Sequence, residues 1–496
     1  MKYDVVIIGG GLGGLLCGYI LSKQGLGVVV LEKNAGIGGC LQSFRRKGIL
    51  FDTGMHYIGS MEEGQLLWRF WKYFGLLDRI PLRKLDEQAF DVISYRGKRY
   101  PSAMGYEAYA EGLAAFFPHE RKALAAYTET LYKLSVSSPI SRLEEVEQTL
   151  PLETEYVKTS VSDYLGRLTT DPVLQHVLAG NLPLYAGVKG RTPFFIHAFL
   201  HNSYIQSAYR IVGGGQSVAD TLAASIEKMG GEVWENSEAV KFVGSGEGMV
   251  AVHLKDGRYV EGKNFISAIH PQAMVSMLDE AMAKRSFGRR IRNLENTMAC
   301  FTLYIGFKKG VVPYYNSNFF HYGVCDIWSC GEYREEDWPR GYLYMHQAPA
   351  KEGEYSDSAL VISYMRYEEV QKWQGTTVGH RGTAYKEFKE KRAQQLIAAL
   401  NREFPGIKEK IAFYQASTPL TYENYTGTTA GAMYGILRDV NSPAQTVVSQ
   451  RTHIPNLYMT GQNTNAHGML GVTNGAMLTC AELIGINTII KAINKA

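Results

Sequence analysis

Residues 4–8, DVVII, place apolar, mostly β-branched side chains at consecutive positions, the pattern of a parallel strand buried on both faces. The glycine run GGGLGG follows at once. In LLCGYILSKQG, Leu15, Leu16, Ile20 and Leu21 then recur at helical spacing, and Gly25 ends the helix. A second apolar run, GVVVLE, leads to Glu32. The start of the chain therefore predicts a strand, a glycine turn, a helix and a second strand.

Beyond residue 62 the period changes. AYAEGLAAFF and RKALAAYTETLYKL repeat at helical spacing with few strand signals between them, so residues 62–205 are expected to form a helical insertion. The first pattern resumes near residue 206. GGGQSVADTLAASIEKMGGEV reads as a loop, a helix capped by Ser217, and a Gly230–Gly231 stop before a strand. MVAVHLKDGRYVEG predicts a β-hairpin turning at Asp256–Gly257, and FISAIHP a further core strand. Residues 296–440 mix strands such as ACFTLYIGF and ALVISYM with one long amphipathic helix, AYKEFKEKRAQQLIAALNREF, which suits a second lobe with its own sheet. From residue 441 the first pattern returns, with a strand, a glycine-rich loop and a helix in LYMTGQNTNAHGMLGVTNGAMLTCAELIG. The expected fold class is α/β. Segments 1–61, 206–295 and 441–496 would build one discontinuous Rossmann-type domain, 62–205 a helical substrate insertion, and 296–440 an α+β substrate lobe with a sheet.

Length and composition narrow the function. A chain of 496 residues suits two or three lobes around a large cofactor. With 20% charged and 45% hydrophobic residues it has the balance of an ordinary globular protein. The net charge is only +4 and no Lys/Arg-rich block offers a track for phosphates, so no nucleic-acid partner is expected. Six cysteines are scattered without a C-x-x-C pair or a metal-ligand spacing shared with histidines. They read as free thiols in a reducing compartment, with no metal site. A strand that starts within three residues leaves no room for a signal peptide, and no run of 18 or more apolar residues spans a membrane. A cytoplasmic protein is expected, with peripheral membrane contact left open and the oligomeric state unspecified.

Gly9, Gly11 and Gly14 fit G-x-G-x-x-G between a strand and a helix. The first glycine permits the tight turn, the second lets the backbone approach a pyrophosphate, and the third allows helix and strand to pack closely. The helix N-terminus adds partial positive charge. Glu32 stands where a carboxylate accepts hydrogen bonds from a ribose and would repel a 2′-phosphate. Gly36, Gly38 and Gly39 follow immediately, where a simple NAD domain runs into its next helix. Two close backbone approaches suit the longer dinucleotide FAD. GSGEG at 244–248 leads into the hairpin rather than a helix, so no separate NAD(P) module is expected; NAD(P)H as a transient electron donor and a partner flavoprotein or ferredoxin both stay open.

The stretch Gly38-Gly39-Cys40 followed by FDTGMHYIG (Phe51 to Gly59) resembles the retinol saturase branch of the FAD-dependent phytoene desaturase and carotenoid isomerase family. STPLTYENYTGTTAGAMYG (Ser417 to Gly435) is similar to that family's substrate-lobe segment, and YMTGQNTNAHGMLGVTNGA to its C-terminal flavin loop. The correspondence runs in order over nearly the whole chain. It implies an FAD lobe built from three segments, a substrate lobe with a sheet, a helical lobe, and an apolar polyene substrate of retinoid or carotenoid type. A carbon of that substrate would exchange hydride with flavin N5. Saturation is the expected direction; desaturation and redox-neutral isomerisation would share every flavin contact.

Gly54, Met55 and His56 follow a predicted strand and are expected at the flavin edge. Gly461, Gln462, Gly471 and Val472 lie in the returning loop, where a helix start near Val472 would aim N–H groups at the flavin's pyrimidine end. Leu12, Gly13, Lys33, Cys40 and Val240 complete the expected cofactor contacts. His56, with an ordinary pKa of about 6.5, is a candidate proton donor or a residue that packs beside the flavin. Tyr57 is the weaker donor. Cys40 reads as a small side chain beside the pyrophosphate, and His467 as structural. The tryptophan-rich helix of Glu62–Ile80 would either line a tunnel mouth at a bilayer surface or lie buried between lobes.

Overall fold

A computed structural model describes residues 2–146, 154–245, 247–279, 282–349, 353 and 355–496. Residues 147–153 of the expected helical insertion and Gly246 of GSGEG lie outside the described residues.

The DVVII run forms the strand Lys2–Ile8, with Val28–Leu31 parallel on one side and Tyr259–Ser267 parallel on the other. Glu232–Trp234 extends the array beyond Val28–Leu31, and Leu457–Met459 extends it beyond Phe265–Ser267. Val5 to Ile8 and Val28 to Leu31 are all at most 3% exposed, which explains unbroken apolar runs in place of alternation. The FIS of FISAIHP belongs to the second arm of the predicted hairpin instead of adding a strand. That arm pairs antiparallel with Gly248–Leu254 through its first half and parallel with Leu457–Met459 through its second. Helices Leu12–Lys23, Gln216–Lys228 and Gly468–Ile484 share one core, in which Leu16, Ile20, Leu222, Ile226 and Ala476 are buried together. Ser217 does not cap its helix. The N-cap is Gly215, and the Ser217 hydroxyl donates to the Gly214 carbonyl at 2.7 Å.

A second sheet runs in the order Ile411–Ser417, Ala299–Phe307, Ser358–Met365, Gly341–His346, Asn318–Tyr322, Asp91–Tyr95 and Lys98–Ser102. Its side chains alternate between two cores. The helix Thr383–Glu403 buries Leu396, Ile397 and Leu400 against Phe301, Leu303 and Val361. The other face sets Tyr304, Leu343, Leu360 and Ile362 against Leu124, Tyr127 and Phe194 of the helical insertion. Two of these strands, at 91–95 and 98–102, arise inside the stretch whose helical period predicted an insertion of helices. Five-residue strands around a tight Arg96–Gly97 turn are too short to register against the longer helical repeats beside them.

The tryptophan-rich segment contains the helix Leu66–Phe74, with Leu67, Phe70, Trp71, Tyr73 and Phe74 buried beside Ile489, Ile490 and Ile493 of the C-terminal helix Ile486–Asn494. Leu66, Trp68 and Arg69 of the same helix are half-buried. Among the described residues, no helix is long and apolar enough to cross a membrane.

Candidate functional site

A cavity of about 550 Å³ opens between the carboxyl ends of the parallel strands and the second sheet. At its glycine-rich end, Gly9 takes φ 107°, and a Cβ on Gly14 would stand 2.0 Å from the Gly9 carbonyl oxygen. Gly11 differs from both. Nothing lies within 4 Å of its Cβ position, so its backbone faces open cavity and the first N–H groups of Leu12–Lys23 point the same way. The second glycine pair closes against the first: Gly38 N–H donates to the Gly10 carbonyl at 2.8 Å, and a Cβ on Gly39 would meet Gly11 Cα at 3.2 Å.

Glu32 is 6% exposed and oriented by the protein itself. One carboxylate oxygen accepts from Gly10 N–H at 2.9 Å, and the other from the Asn34 N–H and side-chain amide at 2.9 and 2.8 Å. The Lys33 ammonium donates to the Asn424 carbonyl at 2.9 Å, and the Asn34 amide to the Tyr425 carbonyl at 3.0 Å. These bonds tie Tyr425–Thr428 over the cavity, so part of the stretch expected in the substrate lobe reaches the glycine-rich end.

The returning loop carries Gly461 and Gln462 into the cavity wall. Arg438 holds that loop, donating to the Asn463 and Thr464 carbonyls at 2.7 and 3.1 Å and to the Thr446 carbonyl, and burial pulls its pKa down to about 10. The helix starts at Gly468, four residues before the expected position. Val472 still lines the cavity from the second turn. Gly471 does not, because it packs the helix on its own approach loop, where a Cβ would lie 2.6 Å from the Ala466 carbonyl carbon. His467 Nε2–H donates to the Leu184 carbonyl at 3.0 Å beneath the Tyr434 ring, and burial pushes its pKa down to about 4.

The far end of the cavity is apolar. Leu184, Leu343, Ile362 and Met433 line it with Tyr422 and Tyr434. Met55 and His56 also line the cavity. His56 Nδ1 is buried without a hydrogen-bond partner. Burial, reinforced by the Arg210 guanidinium, pushes the His56 pKa down to about 4, so the imidazole is neutral at neutral pH and the ordinary value of 6.5 does not apply. Cys40 also faces the cavity, and burial pushes its thiol up, away from the reactive thiolate.

Tyr57 lies behind the wall. Its hydroxyl donates at 3.1 Å to Asp91 Oδ2, which also accepts from the Asn181 amide at 2.6 Å. Asn318 donates to Asp91 Oδ1 at 2.9 Å while its own oxygen accepts from Arg210 at 2.7 Å. Burial raises the Asp91 pKa to about 7 against these donors. This buried bridge joins residues as far as 227 apart in sequence, and no local motif announces it.

A family model described as flavin containing amine oxidoreductase matches residues 12–484. The chain belongs to that family. Human all-trans-retinol 13,14-reductase is 28% identical, over 98% of this chain and 86% of its own length. Prolycopene isomerase 1, chloroplastic, of an Oncidium hybrid cultivar is 22% identical, over 97% and 84%. Putrescine oxidase bound to putrescine shares the fold with a TM-score of 0.66 at 15% identity, over 100% of this chain and 99% of its own. An oxidoreductase from Methanosarcina mazei does so with 0.65 at 17%, over 96% and 99%.

The protein is thus a flavin-dependent oxidoreductase, and its cleft fits the flavin. The open Cβ position over Gly11, the helix N-terminus and the partnerless Nδ1 of His56 all face or border one cavity. Gly9, Gly11, Leu12, Gly13, Glu32, Lys33, Gly38, Gly39, Cys40, Gly54, Met55, His56, Val240, Gly461, Gln462 and Val472 line it together. Gly14, Gly471 and Tyr57 do not. Sequence reasoning missed Ala268, Ile269 and His270, although they follow a core strand and ligands of such sheets sit beyond the strands' carboxyl ends. It also missed the apolar wall from the second sheet, which has no local signal.

Proposed function

We propose that this flavoprotein binds FAD and saturates a carbon–carbon double bond of a long apolar polyene of retinoid or carotenoid type. The observation that carries this reading is the continuity of one cavity from Glu32 and the first helix N-terminus to a far end lined by Leu184, Leu343, Ile362 and Met433. The relatives named all-trans-retinol 13,14-reductase and prolycopene isomerase support the substrate class. The segments 1–61, 206–295 and 441–496 would form the FAD lobe, and 62–205 and 296–440 the walls of the substrate space.

In this reading the N–H groups at Leu12 and Gly13 would hold the pyrophosphate, with Gly11, Gly38 and Gly39 allowing close approach. Glu32 accepts from the ribose hydroxyls. When reduced, the flavin supplies hydride. The apolar wall would orient the chain and exclude water, and the conjugated polyene would delocalise the negative charge that hydride addition leaves until a proton is delivered. His56 faces this space with a neutral imidazole N–H, a donor suited to a strongly basic carbon and not to acid catalysis as imidazolium. Tyr57 would support the wall through Asp91 rather than donate to substrate. NAD(P)H would enter only transiently as electron donor, and peripheral membrane contact would give an apolar substrate its route. Desaturation and isomerisation use the same residues.

The test is mass spectrometry of products after anaerobically reduced holoenzyme meets a panel of polyenes that includes all-trans-retinol. A gain of two hydrogens is the expected outcome. Unchanged mass with altered retention would assign isomerisation, and loss of two hydrogens with oxidised enzyme would assign desaturation. Peroxide release with amines, and no polyene turnover, would overturn the substrate class.

A further inference from the structure

Away from the flavin cleft, a second cavity of about 400 Å³ opens between the substrate-lobe sheet and the helix Thr383–Glu403. Its wall includes His321 and Tyr342 from neighbouring strands, Arg340 just before one of them, and Arg402 from the last turn of the helix. The one acidic side chain in that wall is Asp337, and Arg334 already grips it with bonds of 2.9 and 3.2 Å. Glu403, next to Arg402, is engaged by Arg99 and by the Ser94 hydroxyl, each at 2.9 Å, with His321 Nδ1 3.5 Å away.

The cations are not spent in the same way. Arg340 uses a single terminal nitrogen, donating to the Ser329 carbonyl at 3.3 Å and to the Glu332 carbonyl, and its other N–H groups have no hydrogen-bond partner among the described residues. Arg402 has no hydrogen-bond or ion-pair partner among the described residues. His321 stacks on Tyr342 with ring centroids 4.9 Å apart, and its Nδ1 is buried without a hydrogen bond. Burial lowers the His321 pKa; the Glu403 carboxylate pulls it up, and Arg402 and Arg99 push it down.

We propose that this cavity binds a small phosphorylated anion. Guanidinium groups match phosphate oxygens with paired donors, and two of them beside an imidazole supply the charge a phosphate or diphosphate needs. The volume exceeds what inorganic phosphate fills and suits a diphosphate or a phosphate ester. The site is separate from the flavin cleft and does not rest on the polyene reading.

The test is titration calorimetry of the flavin-loaded full chain with inorganic pyrophosphate, and separately with ADP, while flavin absorbance is followed. Saturable binding is expected, weakening with salt and weakening about tenfold or more in Arg402→Gln. Arg402 is exposed and unpaired, so the variant should keep the wild-type unfolding midpoint and flavin spectrum. Proton uptake is also expected, seen as a difference in heat between buffers of different ionisation enthalpy and absent in His321→Asn. Tighter binding of ADP would assign a phosphate ester, and equal binding the diphosphate group itself; both support the site. Absence of binding at millimolar concentration, unchanged affinity in Arg402→Gln, or flavin release on titration would each overturn it.

Discussion

His56 and Tyr57 are neighbours in sequence and part company in the fold. His56 faces the cleft with no partner, whereas Tyr57 turns its hydroxyl to Asp91 at 3.1 Å. Tyr57→Phe removes one of three donors to a buried carboxyl and should cost about 1–2 kcal/mol in denaturant unfolding, with flavin affinity unchanged. Loss of flavin with no loss of stability would refute this placement. The glycines separate in the same manner. Gly11→Ala meets nothing in the protein, so it should leave the unfolding midpoint of the flavin-free chain within about 2 °C and weaken flavin binding about tenfold or more. Gly14→Ala drives a Cβ into the Gly9 carbonyl and should cost stability first, about 1–3 kcal/mol. The G-x-G-x-x-G spacing was legible in sequence because each glycine answers a local backbone demand. The direction of the Tyr57 hydroxyl was not, because Asp91, Asn181 and Asn318 reach it from other segments.

Among elements, the loop after Leu457–Met459 is tied to residues outside it, Arg438 foremost in number of bonds. Arg438 gathers carbonyls at Thr446, Asn463 and Thr464, and the loop backbone then meets the first helix, where a Cβ on Gly13 would stand 3.0 Å from Gly461 Cα. Arg438→Met should cost about 3 kcal/mol and speed flavin loss on dialysis, followed by flavin absorbance. A variant that retains flavin like the wild type would show that the loop holds its shape without the guanidinium. The sequence predicts the helix of this segment with a start near Val472, whereas it begins at Gly468, after an N-cap residue, His467, whose side chain makes no capping bond. The strand Tyr259–Ser267 was divided in two for a related reason. Its neighbours change halfway along, and periodicity does not register partners.

Across the whole molecule, several histidines are held neutral by burial. His56, His270 and His467 are pushed down to about 4 and His201 to about 3, while His197 and His346 shift the same way. The unfolded chain takes up these protons below about pH 6.5 and the folded chain does not until much lower pH. Their stabilisation is therefore complete above that value and falls as the pH drops toward 4, by roughly 3 kcal/mol for a group displaced from 6.5 to about 4. Asp91, raised to about 7, has the opposite sign, because its contribution is complete below 3.8 and is lost as the pH rises through 7; Asp52 is raised too. The histidines outnumber these carboxyls, so the calorimetric unfolding midpoint should rise between pH 5 and pH 7. A flat or falling midpoint would contradict the neutral buried histidines. By itself the sequence determined the strand–glycine–helix unit, the hairpin at Asp256–Gly257, the long helix of the second lobe and the placing of Gly9, Gly11, Gly38 and Gly39 at one glycine-rich end. Those features follow from local spacing and backbone conformation. Only the tertiary structure decided that the second sheet takes strands from residues 91–102, that Tyr425–Thr428 cover the glycine-rich end, and that His56 is uncharged. Those outcomes depend on burial and on charges brought together from distant segments, which no spacing along the chain encodes.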